Sequence, residues 1–274
     1  MTQKQLLTEF MRQAPMQPAT NYWRSHEVQE VIQFGLPAGT GLDLGCGDGH
    51  LMSIILDHVG PRELVGIDLD DAETAMASKR QTYKHVETAA AGALPFKDSS
   101  FDFVFSNSVL EHIPDIDSVI AEVARVLRPG GNFLFTVPGP EFHDCLARGG
   151  GEDREAYLLE TDLRCAHLRY WTAEEWNRQL ERAGLRVVHF HSYLTMSQMR
   201  RWEAVAWYTS GLLYRAFGGR RQPIEIQRMA KVRKASVRAP RLLAATISWM
   251  LNLGVGEVST PQGCLLISAE RCHV

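Results

Sequence analysis

Hydrophobic positions along this chain alternate between two periods, short solid apolar runs and runs spaced three or four apart, and they do so in turn from residue 40 onward. Solid runs bounded by glycine or acid read as buried parallel strands, and 3.6-period runs read as helices packed on them. Thr40 to Leu44 is the first predicted strand, followed by a helix with Leu51, Ile54, Ile55 and His58 on one face. Leu64 to Asp68 and Ala72 to Lys79 repeat the pair, His85 to Ala90 is a third strand and Phe101 to Phe105 a fourth. Ile116, Val119, Ile120, Val123 and Leu127 mark a helix expected to stop at Arg128-Pro129-Gly130-Gly131. Asn132 to Val137 is a fifth strand, and Thr172-Ala173-Glu174-Glu175 has capping-box spacing and opens a helix ending at Gly184. Leu185 to Leu194 and Gly263 to Arg271 are the sixth and seventh strands. Such alternation predicts an α/β, doubly wound, Rossmann-like sheet of seven strands.

Within that pattern, Asp43-Leu44-Gly45-Cys46-Gly47-Asp48-Gly49 turns from strand to helix through three alternate glycines. Glycine lets the backbone take positive φ and approach a ligand closely, so the turn reads as a nucleotide cradle. Asp68 closes the second strand, where a carboxylate can accept from both hydroxyls of a ribose. The spacing G-x-G-x-G lacks the third glycine of G-x-G-x-x-G, which disfavours a dinucleotide, and the acid at Asp43 suits an ammonium group rather than a pyrophosphate.

Three further blocks follow in order: Leu94-Pro95-Phe96-Lys97-Asp98-Ser99-Ser100-Phe101-Asp102, Ser106-Asn107-Ser108-Val109-Leu110-Glu111-His112, and Leu127-Arg128-Pro129-Gly130-Gly131. With the glycine turn they resemble the class I S-adenosylmethionine-dependent methyltransferases, in the small-molecule branch similar to methyltransferase type 11, over residues 38 to 194. The resemblance implies S-adenosyl-L-methionine as cofactor and an antiparallel final strand. It implies that Asp43 serves the methionyl amino group and Asp68 the ribose. Leu69 would lie on the adenine, Gly45, Cys46 and Gly47 would form the cradle, and Asn107 would face the methyl end. Relatives commonly have Asp-Ala where this chain has Ala90-Ala91, so the adenine contact there would be by backbone alone, at Ala91 and Gly92, or come from elsewhere. N-terminal helices would cover the cofactor, with Tyr22 beside the methionyl group. His112 and His143 are the candidate general bases, and His167, Arg169 and Tyr170 sit in a lead-in that usually orders a loop.

The implied division is an N-terminal helical cap (1–37), a cofactor-binding core (38–194), an insertion or lid (195–262) and the last core strand (263–274). The insertion changes the picture most. Residues 200 to 241 hold nine arginines and two lysines against Glu203 and Glu225, so +9 sits in this stretch and −12 in the rest of a chain with net charge −3. Aromatic residues are interleaved: Trp202, Trp207, Tyr208, Tyr214, Phe217 and Trp249. A solvated helical lid and a peripheral contact with an anionic membrane both suit such a segment. Nucleic acid is less well served, because no recognisable reader module accompanies the charge.

The 274-residue chain is long enough to bury one sizeable core. Its five scattered cysteines indicate a reduced compartment and no metal site. No signal-peptide core follows Met1 to Gln5, so a cytoplasmic protein is expected, membrane-peripheral if the insertion meets a bilayer. The expected activity is methylation of O, N or C on a small, lipophilic acceptor. An RNA methyltransferase and a non-catalytic S-adenosylmethionine-binding subunit are the alternatives, and the oligomeric state is open.

Overall fold

A computed structural model describes residues 2–148, 153–217, 238–255 and 260–273. Seven strands form one sheet: β1 (Thr40–Leu44), β2 (Glu63–Asp68), β3 (His85–Thr88), β4 (Phe101–Asn107), β5 (Leu127–Pro138), β6 (Leu185–Thr195) and β7 (Gln262–Arg271). Their order is β3-β2-β1-β4-β5-β7-β6. β1 to β5 pair in parallel, and β7 runs antiparallel to β5 from Asn132↔Glu270 to Pro138↔Cys264. The expected doubly wound sheet with its reversed last strand is therefore the observed one.

Among the described residues ten α-helices, most of eleven residues or fewer, accompany it: α1 (Gln3–Gln13), α2 (Pro18–Phe34), α3 (His50–Val59), α4 (Asp71–Ala77), α5 (Ile116–Val126), α6 (Asp153–Cys165), α7 (Ala173–Arg182), α8 (Met196–Tyr208), α9 (Ser210–Phe217) and α10 (Arg241–Leu251). α6 is an element that the sequence pattern did not reveal. Its outward face holds Leu159 and Leu163, both more than half exposed, which blurs the apolar stripe through Tyr157 and Thr161.

The stop expected at Arg128-Pro129-Gly130-Gly131 proves different. α5 ends at Val126, and β5 runs straight through the Pro-Gly-Gly sequence. Register explains it: Phe101 pairs with Leu127, but Phe103 already pairs with Asn132, so residues 128–131 bulge out opposite Asp102. Gly130 has φ +77°, and a Cβ on Gly131 would sit 2.8 Å from the Arg128 carbonyl oxygen. Proline and glycine are tolerated here because a bulge needs no ladder donor and admits positive φ. Arg128 closes the bulge by donating to Asp102, whose other oxygen accepts from the Thr40 amide at 2.8 Å.

The chain forms two compact units. One, holding Val31–Pro140, Leu168–Ser192 and Cys264–Val274, contains the sheet. Its core is built from strand residues Leu42, Leu44, Val104, Phe133, Phe135 and Ile267 against Val119, Ile120 and Val123 of α5 and Trp176 and Leu180 of α7. The second, helical unit holds Met1–Glu30, Glu141–His167 and Tyr193–Gly263. It is organised by a buried carboxylate: Glu203 of α8 accepts from the amides of Ala147 (2.9 Å) and Arg148 (3.1 Å) and from the Tyr157 hydroxyl (2.6 Å). Several of its arginines are committed internally, since Arg148 and Arg215 lie over the Trp207 ring at 4.6 and 3.8 Å and Arg201 donates to the Leu253 carbonyl. Arg220 and Arg221, with the rest of the basic run from 218 to 237, lie outside the described residues.

Candidate active site

Reversal of strand order between β1 and β4 creates a crevice at their carboxyl ends, the place where open α/β sheets bind ligands. The glycine turn grows out of β1 at this point. Amides of Gly45 and Cys46 both donate to the Ile67 carbonyl, at 2.8 and 2.9 Å, and the Ser106 hydroxyl donates to the Leu44 carbonyl at 3.0 Å. Asp68 braces two turns at once, accepting from the Gly47 amide at 2.9 Å and the Asp70 amide at 3.0 Å. Each carboxylate oxygen can accept twice, so acceptor capacity for ribose hydroxyls remains. Capping of α4 falls to Asp70, which accepts from Ala72 and Glu73, and Asp68 is left to the turn.

The three glycines have positive φ for different reasons. A Cβ on Gly45 (φ +83°) would lie 2.4 Å from a Val109 methyl, and one on Gly49 (φ +73°) 2.8 Å from the Tyr83 ring. At Gly47 (φ +53°) the nearest atom would be a Glu73 oxygen 3.9 Å away. Gly45 and Gly49 are thus required by packing, whereas Gly47 borders open space.

Negative charge is concentrated around this turn. Asp43 is buried and accepts from the Tyr83 hydroxyl at 2.5 Å. Burial pushes its carboxyl up to about 7, partly opposed by that hydrogen bond and reinforced by Asp68. The neighbouring Cys46 thiol is driven well above its ordinary range by burial and by Asp43, Asp68 and Asp48. A site that penalises added negative charge suits a ligand bearing an ammonium and a sulfonium, and S-adenosylmethionine has both. Beside Asp68, Leu69 is 76% exposed, an apolar side chain held in water at the strand end and suited to a purine face.

The segment after β3 is positioned by main chain and by α5. Ala89 donates to the Asp68 carbonyl at 3.0 Å, and the Ala93 amide donates to Ala90, closing a turn over Ala91 and Gly92. Glu122 accepts from the Leu94 amide at 2.6 Å, and Arg125 donates to the carbonyls of Leu94 and Phe96. No side-chain acceptor stands at Ala90 or Ala91, so what this turn presents at those positions is backbone groups. Asn107 ends β4, buried and in register with Thr136.

Asp43, Gly45, Cys46, Gly47, Asp68, Leu69, Ala91, Gly92 and Asn107 all belong to the sheet unit, as does His112. His112 is 38% exposed, with its ring nitrogen 3.8 Å from the buried Glu111 carboxylate. Its loop is pinned by Arg169, which donates to the carbonyls of Leu110, Ile113 and Pro114. Tyr22 and His143 belong to the helical unit. His143 shares a 2.8 Å hydrogen bond with Asp162, and Arg154 donates to its carbonyl at 2.6 Å. Tyr22 is fully buried, with no hydrogen-bond partner for its hydroxyl among the described residues. Sequence reading missed Tyr83, Val109, Glu122 and Asp162. Only Glu122 left a signal, in its i, i+3 spacing with Arg125.

Comparison with known proteins agrees with this geometry. A family model described as a methyltransferase domain matches residues 18–190. A probable S-adenosylmethionine-dependent methyltransferase of Mycolicibacterium smegmatis is 34% identical over 169 residues, covering 61% of this chain and 60% of that protein. A fatty-acid O-methyltransferase of the same organism is 35% identical over 103 residues, 37% of this chain and 38% of that protein. The chain therefore matches less than two thirds of the length of each of these relatives. Among solved structures, a putative methyltransferase from Bacillus halodurans C-125 shares the fold, with a TM-score of 0.52, 18% identity and coverage of 90% of this chain and 99% of that one. On the glycine turn, its acids and the match over residues 18–190, the chain belongs to the methyltransferase domain family, with S-adenosyl-L-methionine as the cofactor that membership implies.

Proposed function

We propose that this protein methylates an oxygen, nitrogen or carbon atom of a small, lipophilic acceptor. The observation that supports it best is the turn at Gly47, open to a ligand and braced by Asp68 beside the buried Asp43. In this reading Asp43 receives the ammonium of the methionyl group, Asp68 the ribose, and Leu69, Ala91 and Gly92 the adenine. Gly45, Cys46 and Gly47 line the backbone cradle, and Asn107 attends the methionyl end. When bound, the cofactor supplies an electrophilic sulfonium methyl. The chain's own residues hold the acceptor in line and exclude water, which can supply about 7–11 kcal/mol of a barrier.

Acceptors that lose a proton need a base. His112, beside Glu111, and His143, held by Asp162, are the groups proposed for it. The lipophilic character of the acceptor rests on likeness to a fatty-acid O-methyltransferase. A carboxylic acid is ionised at neutral pH and needs no base, so a fatty acid substrate would make both histidines dispensable, whereas a hydroxyl or amine substrate would not.

Calorimetry with S-adenosylhomocysteine and incubation of methyl-labelled cofactor with long-chain fatty acids and lipid extracts test the proposal. Asp68→Asn is expected to weaken cofactor binding by about 1.5–3 kcal/mol, the range for hydrogen bonds to a charged group. Wild-type affinity in that variant would remove Asp68 from the ribose, and absence of label from every lipid fraction would remove the lipophilic acceptor.

A further inference from the structure

Helix α10 is inverted relative to an ordinary amphipathic helix. Its buried positions are the small Ala244 and Ser248, one turn apart, and it packs on α1, whose inward residues are Leu6, Leu7, Phe10 and Met11. Ile247 and Leu251 flank Ala244 and Ser248 half-buried, and the other large side chains of the helix point outward. Leu242 is 84% exposed, and Leu243, Trp249, Met250 and Leu253 are each about half exposed. At 100° per residue, positions 242, 243, 246, 249 and 250 occupy one arc of about 120°, so these side chains form a continuous strip in which Thr246 is the one polar member. Isolated exposed apolar residues need no explanation, but a strip with a tryptophan in it does.

Charge distinguishes the occupant. Residues 238 to 255 include no acid, and the basic residues among them, Arg238 and Arg241, are exposed at the amino end of α10. Arg241 belongs to the helix itself, and Arg238 precedes it by the short Ala239-Pro240 link, in which Ala239 donates to the Arg12 carbonyl and Pro240 is the N-cap. Tryptophan beside aliphatic side chains, with arginine at the edge and no carboxylate within the segment, matches the boundary between anionic lipid headgroups and acyl chains. Arg and Trp at a protein interface would also be ordinary, but a protein partner would not require a strip free of acids. No helix among the described residues is long and apolar enough to cross a membrane, so attachment would be peripheral.

We infer that the outward face of α10 docks the protein on an anionic lipid surface, with Leu242, Leu243, Trp249 and Met250 entering the interface and Arg238 and Arg241 meeting headgroup phosphates. This does not depend on the methyl-transfer reading, because lipid binding is measured without cofactor or acceptor.

The full chain is sedimented with vesicles of phosphatidylcholine alone and with phosphatidylglycerol added. Binding is expected only to the anionic vesicles and is expected to fall steeply as salt is raised toward 1 M, where the Debye length is about 3 Å. The double variant Leu242→Glu, Trp249→Glu should lower partitioning by about tenfold or more. Both sites are exposed, and an unchanged circular dichroism spectrum and melting curve would show that the variant is folded. Brominated lipid should quench tryptophan emission in the wild type, and Trp249→Phe should remove most of that quenching. Wild-type protein that stays in the supernatant at low salt, or a double variant that binds as well as wild type, overturns the inference. So does a wild-type dimer in solution that Trp249→Glu converts to monomer, which would make a second copy the occupant of the strip.

Discussion

Asp43 is held 2.5 Å from the Tyr83 hydroxyl in a buried setting that raises its carboxyl to about 7, so its charge is undecided at neutral pH. The raised value means the folded chain holds this proton more tightly than the unfolded chain. Its contribution to stability is therefore full below about pH 4, the ordinary carboxylate value, and is lost as pH rises through about 7. Cofactor binding runs the opposite way, because an ammonium partner favours the ionised form. Affinity for S-adenosylmethionine should strengthen as pH rises from 6 to 8, and Asp43→Asn should flatten that dependence while weakening binding by about tenfold or more at pH 8. Calorimetric titrations across that range check both, and a pH-independent wild type would separate Asp43 from the ligand. Sequence spacing was enough to single out Asp43, Asp68 and the glycines. It could not tell Gly47 from Gly45 and Gly49, because the difference lies in Val109 and Tyr83, far along the chain and brought up by packing.

At the level of elements, Glu203 matters more than its place in an arginine-rich stretch suggests. Its carboxylate satisfies two backbone amides and a tyrosine hydroxyl, tying α8 to α6 and to the 147–148 segment. Glu203→Leu should leave those donors unsatisfied and destabilise the helical unit by about 2–5 kcal/mol, while Glu203→Gln, whose amide oxygen can still accept, should cost less. Urea denaturation followed by tryptophan emission reads this directly, and equal losses in the two variants would show that the carboxylate's charge, not its acceptor geometry, is what counts. Elements with a clean period were legible in advance: β1, β2, β4, α5 and α7 sit where the apolar pattern puts them. α6 was hidden because a helix with exposed leucines carries no clear stripe, and the bulge at Arg128 to Gly131 was hidden because Pro-Gly-Gly is read locally as a stop while strand pairing decides otherwise.

For the whole molecule, cofactor binding is a stability term. If the turn at Gly45 to Gly49 is the binding site, S-adenosylhomocysteine at about 100 times its Kd should stabilise the folded state by about 2.7 kcal/mol. A chain of this size should then melt roughly 5–10 °C higher. Scanning calorimetry checks it, and Asp68→Asn should shrink the shift at the same ligand concentration. The sequence by itself determined the doubly wound sheet, the reversed β7 through family likeness, the glycine turn and the two acids at strand ends. These follow from side-chain periodicity and from backbone needs that only glycine meets, both local properties of the chain. Tertiary structure alone decided the burial that raises Asp43 and the pairing of His143 with Asp162. It also decided how far the arginines of the insertion are used inside the molecule and which face of α10 is left outward. Each of these depends on contacts between residues distant in sequence, and on which atoms lose water when they meet.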